Sequence, residues 1–136
     1  GNVELNPNEK KLGPDAYTIT SADLARALTS SRTTIKSQLL NQTKIAGIGN
    51  LLCDEILWRS GISPKKEARL LSKKQVEGLA KVIRDTIKNL EERGGSHLGD
   101  LQKNRQKNGV CPIEKSVLVC ESLAGRTTWW CPTHQV

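Results

Sequence analysis

Residues 41–64 read NQTKIAGIGNLLCDEILWRSGISP, and the AGIGN inside this stretch constrains the fold more than any other feature of the chain. Gly47 and Gly49 are separated by one residue, and glycines permit positive φ and close approach of another backbone. A tight double bend is expected there. Upstream, TTIKSQLL puts Ile35 and Leu39 four apart, the mark of a short helix. Downstream, Asn50 opens an apolar run in which Leu52 and Ile56 share a helical face, and Gly61 with Pro64 ends it. Free amides at a helix start, the helix dipole and the Asn50 side chain all favour an anion. A plain turn between packed helices fits the same residues. A dinucleotide fingerprint does not, because the third glycine and the preceding strand are missing.

The neighbouring signals are also helical. Thr20 with Asp23 reads as a capping box ahead of ADLARAL, which aligns Leu24 and Leu28. Ser72 with Gln75 forms a second box, and Leu71 is placed to staple against Val76. Val76, Leu79, Ile83, Ile87 and Leu90 then form the longest apolar stripe, with Glu77–Lys81 as an exposed pair, before Gly94 and Gly95 stop it. The stretch HLGDLQKNRQKNGV lacks a stripe and is basic. Beyond it, SVLVCES and RTTWW are strand-like runs joined by LAG. The expected organisation is an arm or linker over 1–19, a helical domain over 20–95, a basic connector over 96–110 and a β-hairpin finger over 111–136. The fold class is therefore mainly α with a small β-hairpin appendage.

Charge narrows the function. The 136 residues carry a formal net charge of +7, which suits nucleic acid or an anionic membrane surface. No apolar run approaches the roughly 20 residues a membrane span needs. The opening GNVELNPNEK does not read as a signal peptide, so a cytoplasmic location is expected (on the nucleoid, in a bacterium). In a reducing compartment the four cysteines point to metal or free thiols rather than disulfides. CPIE and CPTH place Cys111 with Glu114, and Cys131 with His134, at knuckle spacing on the two ends of the hairpin, so zinc is a candidate cofactor. The alternatives are a zinc-free finger held by Trp129 or Trp130, and buried thiols. Cys120 replaces Glu114 only if the hairpin bends. Cys53 reads as a core residue. Arg126, at the hairpin turn, is presented to fork onto a phosphate. Lys103, Arg105 and Lys107 of the connector suit non-specific phosphate contacts or plain solvation, and His97 reads as a surface or capping histidine.

LGPDAYTIT, IKSQLLNQTKIAGIGNLLCDEILWRSGISP, ERGGSHLGD and GRTTWWCPTHQ together resemble the C-terminal half of the formamidopyrimidine-DNA glycosylase / endonuclease VIII family of base-excision repair enzymes, over about residues 10–135. The resemblance implies a helix–two-turn–helix domain and a zinc-finger hairpin that grip DNA around a flipped-out damaged nucleotide. It implies that Asn50 and Arg126 bind phosphates, with Gly49 and Lys44 beside the same turn, and that the partner is damaged or abasic duplex DNA bound by a monomer. The family's catalytic proline and glutamate belong to an N-terminal β-rich domain that has no counterpart here, so no catalytic residue is assigned and this chain alone is expected to be inactive. The family finger carries C-x-x-C at both ends, where this sequence has Glu114 and His134. Three other readings stand beside the DNA-gripping module: a working glycosylase and lyase in the natural form, a structured-RNA-binding module, and a protein-interaction domain.

Overall fold

Four helices and a two-stranded antiparallel hairpin make up the computed structural model, which describes residues 11–29 and 32–136. Helix α1 is Ser21–Leu28, α2 Ile35–Leu40, α3 Asn50–Ser60 and α4 Lys73–Arg93; strands β1 and β2 are Val119–Leu123 and Arg126–Trp130. The chain is thus mainly α with a hairpin finger, as its periodicity and turn residues predict.

Local chemistry sets the helix limits. Thr20 and Asp23 close the capping box of α1, and Ser72 and Gln75 that of α4. Thr34 caps α2 by accepting from the Ser37 amide. Gly61 and Gly94 end α3 and α4 in the left-handed conformation. The stripe of α4 (Val76, Leu79, Ala80, Ile83, Leu90) meets Leu24 and Leu28 of α1, Ile35 and Leu39 of α2, and Ile56 and Leu57 of α3 in one aliphatic core. On the outer face of α4, Lys81 turns from Glu77 to pair with Asp85 instead. Both positions lie four residues from Lys81, so the two acids compete for one ammonium.

Two departures matter for the site. The segment expected as an arm is, over its described residues, part of the body. Ala16 and Ile19 are buried, and Gly13 to Ala16 bond the turn after α2, with Gly13 N–H to Gln42 O at 2.8 Å and Ala16 N–H to Ala46 O at 2.9 Å. The first ten residues of that segment lie outside the described ones. Second, α3 is not amphipathic: Leu52 to Trp58 are all buried, Asp54 and Glu55 included. Helices α2 and α4 and strand β2 all pack against α3.

Candidate nucleic-acid interface

Between α2 and α3 the chain bends twice, and Gln42 holds the bend. Its amide nitrogen donates to Ile48 O at 3.0 Å and its oxygen accepts from Gly47 N–H at 2.8 Å. Gly47 sits at φ 102°, in the left-handed region that favours glycine. Gly49 does not: its φ is −94°, and a Cβ there would meet nothing within 4 Å. Only the first glycine is therefore required by the backbone. Gly49 is the N-cap of α3 and provides no side-chain cap, so among the described residues the first-turn N–H groups of α3 have neither an intrahelical nor a side-chain acceptor. Gly49 and Lys44 are both exposed on this rim.

The finger is folded onto that helix start. Strand β1 pairs with β2 from Val119↔Trp130 to Leu123↔Arg126, through a two-residue turn with positive φ at Ala124 (53°) and Gly125 (71°). This primed turn matches the twist of the strands. Arg126 stands exposed beside it, and its guanidinium makes no ion pair among the described residues. Asn50 and the finger tip touch directly, since the Asn50 side-chain amide donates to Thr127 O at 2.9 Å. The Asn50 Oδ1 is buried and has no partner among the described residues.

Beneath this contact lies a polar cluster that sequence reading missed. Lys36 is wholly buried, Asp54 nearly so, and the two pair at 2.8 Å. The other Asp54 oxygen accepts from Arg105 at 3.0 Å and from the Trp129 amide at 3.1 Å. Lys36 also donates to the Thr128 hydroxyl at 2.6 Å. Arg105 is thus structural, whereas Lys103 and Lys107 of the same connector are exposed. The adjacent Glu55 binds the connector. It accepts from the Asp100 and Leu101 amides, both at 3.1 Å, and from Arg59 at 2.8 Å. An Asp-Glu pair in an otherwise apolar helix was the available sequence signal, because buried carboxylates persist only when paired or hydrogen-bonded. His97 is exposed, as expected. Cys53 lies in the core, where burial pushes its thiol well up.

The knuckle residues meet in pairs. Cys111 and Cys131 are buried side by side. Cys111 Sγ accepts from the Trp58 indole at 3.3 Å and from the Glu114 amide at 3.4 Å. Burial opposes the Cys111 thiolate, but these donors, the Ile113 amide and Cys131 outweigh it, so its pKa falls below the ordinary thiol value. Cys131 moves the other way, with burial and Cys111 pushing it up against the His134 amide. Glu114 faces His134 Nδ1 at 3.6 Å, and the His134 ring leans on Trp58. Among the described residues no three His, Cys, Asp or Glu side chains are grouped to hold a metal ion as they stand, and the buried His134 Nε2 has no partner among them. Cys120 is exposed on β1 opposite Trp129 and cannot join them.

A glycine-built double bend between two helices, with a hairpin finger folded onto the second, defines a helix–two-turn–helix protein. Residues 12–101 match the formamidopyrimidine-DNA glycosylase H2TH domain, and the chain belongs to that family. It is 34% identical to the formamidopyrimidine-DNA glycosylase of Desulfitobacterium hafniense, over 96% of this chain and 54% of that protein. To the Prochlorococcus marinus enzyme of the same name it is 32% identical, over 88% of this chain and 47% of that one. The solved structure of the Thermus thermophilus MutM (Fpg) protein superposes with a TM-score of 0.80 at 30% identity, covering 91% of this chain and 53% of the other. The complex of Lactococcus lactis Fpg with DNA containing an abasic site does so with 0.79 at 29%, covering 91% and 51%. The chain therefore spans about half the length of the relatives it matches.

Proposed function

We propose that this chain is the DNA-gripping half of a glycosylase and AP lyase of base-excision repair, holding the phosphate backbone of bent, damaged or abasic duplex DNA in a reducing, cytoplasmic setting. The contact of the Asn50 amide with Thr127 O carries this reading, because it brings the α3 N-terminus and the Arg126-bearing hairpin tip onto one rim. Arg126 supplies the forked donor. Asn50 and Gly49 offer the first-turn amides of α3, Lys44 adds a charge beside the bend, and Lys103 and Lys107 extend the positive field. Such contacts position a protein on DNA and carry little sequence information. Zinc at Cys111, Glu114, Cys131 and His134 would require these four side chains to draw together from their present arrangement.

Arg126→Ala tests the reading in titrations of the full chain against a duplex containing an abasic analogue. Losing one charged phosphate contact is expected to weaken binding about tenfold and to reduce the slope of log affinity against log salt by about 0.9. Unchanged affinity and slope, or stronger competition by structured RNA than by the duplex, would rule the reading out.

A further inference from the structure

Among the described residues, strand β2 has β1 on one edge and no strand on the other. Side chains of the helical body and connector take the place of a third strand. Asp54 accepts from the Trp129 amide at 3.1 Å, and Lys36 donates to the Thr128 hydroxyl at 2.6 Å. Asn50 donates to Thr127 O at 2.9 Å, with Arg105 adding a longer contact at 3.4 Å. The Thr128 hydroxyl in turn donates to Arg126 O at 3.1 Å. A continuous run of hydrogen bonds thus leads from the buried Lys36–Asp54 pair through Thr128 to the backbone of Arg126.

The structure assigns Lys36, Asp54 and Thr128 as positioning residues that fix where the Arg126 guanidinium stands relative to the start of α3, an assignment that rests on the phosphate-gripping reading above. None of the three reaches the surface: Lys36 and Thr128 are wholly buried and Asp54 nearly so. They act through the strand backbone and not by touching the ligand. A buried ion pair costs desolvation and is a poor source of stability, but its fixed geometry specifies one arrangement over its competitors. Here the arrangement specified is the register of the finger on α3. Hydrophobic packing alone would leave that register loose, because apolar contact is non-directional.

Thr128→Val removes the hydroxyl link at nearly constant shape, Thr128→Ser keeps it, and Lys36→Met removes the buried charge that anchors it. Each is combined with Arg126→Ala and titrated as the full chain against the abasic-analogue duplex, with melting temperatures recorded. In the parent chain Arg126→Ala costs about tenfold and about 0.9 in salt slope. In the Thr128→Val background the same change is expected to cost less than about twofold with no further loss of slope, because the misplaced guanidinium is already disengaged. Thr128→Ser restores the full effect. A purely structural role would lower the melting temperature of Thr128→Val and leave the Arg126 effect at its parent value in that background and in Lys36→Met, and this result overturns the assignment. If Lys36→Met does not fold, the Thr128 pair decides. A neutral Arg126→Ala in the parent chain overturns both the assignment and the functional reading on which it rests.

Discussion

The helical body and the finger are held by different forces. The body closes on a large aliphatic core in which Leu24, Ile35, Leu39, Ile56 and Ile83 have no exposed surface. The finger's buried cluster is small, and two of its members, Trp58 and Leu101, come from α3 and the connector. Of its own residues only Cys111, Leu118 and Cys131 are in the buried set, with Trp129 packed against them. A hairpin on its own is marginal in water. The finger therefore depends on directed bonds to the body: Asp54, Lys36 and Asn50 to β2, and Gln135 to Ile62 O at 3.0 Å behind the second knuckle. Burial makes the body stable, and hydrogen-bond geometry gives the finger its place.

The sharpest way to break that contrast is to damage the body alone. Ile83 is fully buried in α4, away from the finger. Ile83→Ala removes its outer methyl groups and leaves a cavity, at an expected cost of about 2–5 kcal/mol in denaturant unfolding. DNA affinity of the folded fraction should stay within about twofold of the parent, since the register bonds remain intact. A parallel loss of affinity and stability would mean that the body's packing also sets the grip.

The same contrast explains what could be read from the sequence. Caps and helix limits were legible because their causes lie within a few residues: Thr20 with Asp23, and Ser72 with Gln75, need only their own backbone. The hairpin was legible for the same reason, with Ala124 and Gly125 setting its turn. The resemblance marked Asn50 and Arg126, and the structure brings their elements into contact. The Lys36–Asp54–Arg105 cluster was not legible, because its partners lie 18 and 51 residues apart in the chain. Arg105 was grouped with Lys103 and Lys107 by charge alone, and only tertiary packing separates it from them. The shared face of Leu52 and Ile56 marked α3 as a helix, but not that Asp54 and Glu55 are buried as well, because a helix buried from Leu52 to Trp58 has no polar face to set against an apolar one.

A milder perturbation acts on the finger without mutation. Glu121 accepts from the Trp130 indole at 2.8 Å and pairs with Lys65 of the body at 3.2 Å. The indole bond first, then Lys65, hold its carboxyl below the usual range. A carboxyl whose folded pKa is depressed contributes stability that is present above its unfolded value, about 4.3, and lost as pH falls through the folded one. Lowering the pH from about 6 to about 3 should release the indole bond and shift tryptophan emission. Glu121→Gln should abolish that part of the transition, and an unchanged acid profile in this variant would place the transition elsewhere.

Chelation should have the smallest effect of all. If directed bonds and Trp58 hold the finger, its closure does not wait for an ion. Cys111 Sγ already accepts two N–H donors, the Cys131 amide donates to Gln135 at 2.9 Å, and Glu114 faces His134. Treating the purified chain with a strong chelator is expected to move the melting temperature by no more than about 1 °C, the equivalent of a few tenths of a kcal/mol in a domain of this size. A structural zinc contributes on the order of 10 kcal/mol to a small finger and would not be missed. Stoichiometric zinc by elemental analysis, with loss of the finger on chelation, would show that Cys111, Glu114, Cys131 and His134 regroup around the ion. The finger would then be closed by metal rather than by the body, and the difference between the two regions would be one of ligand rather than of bonding.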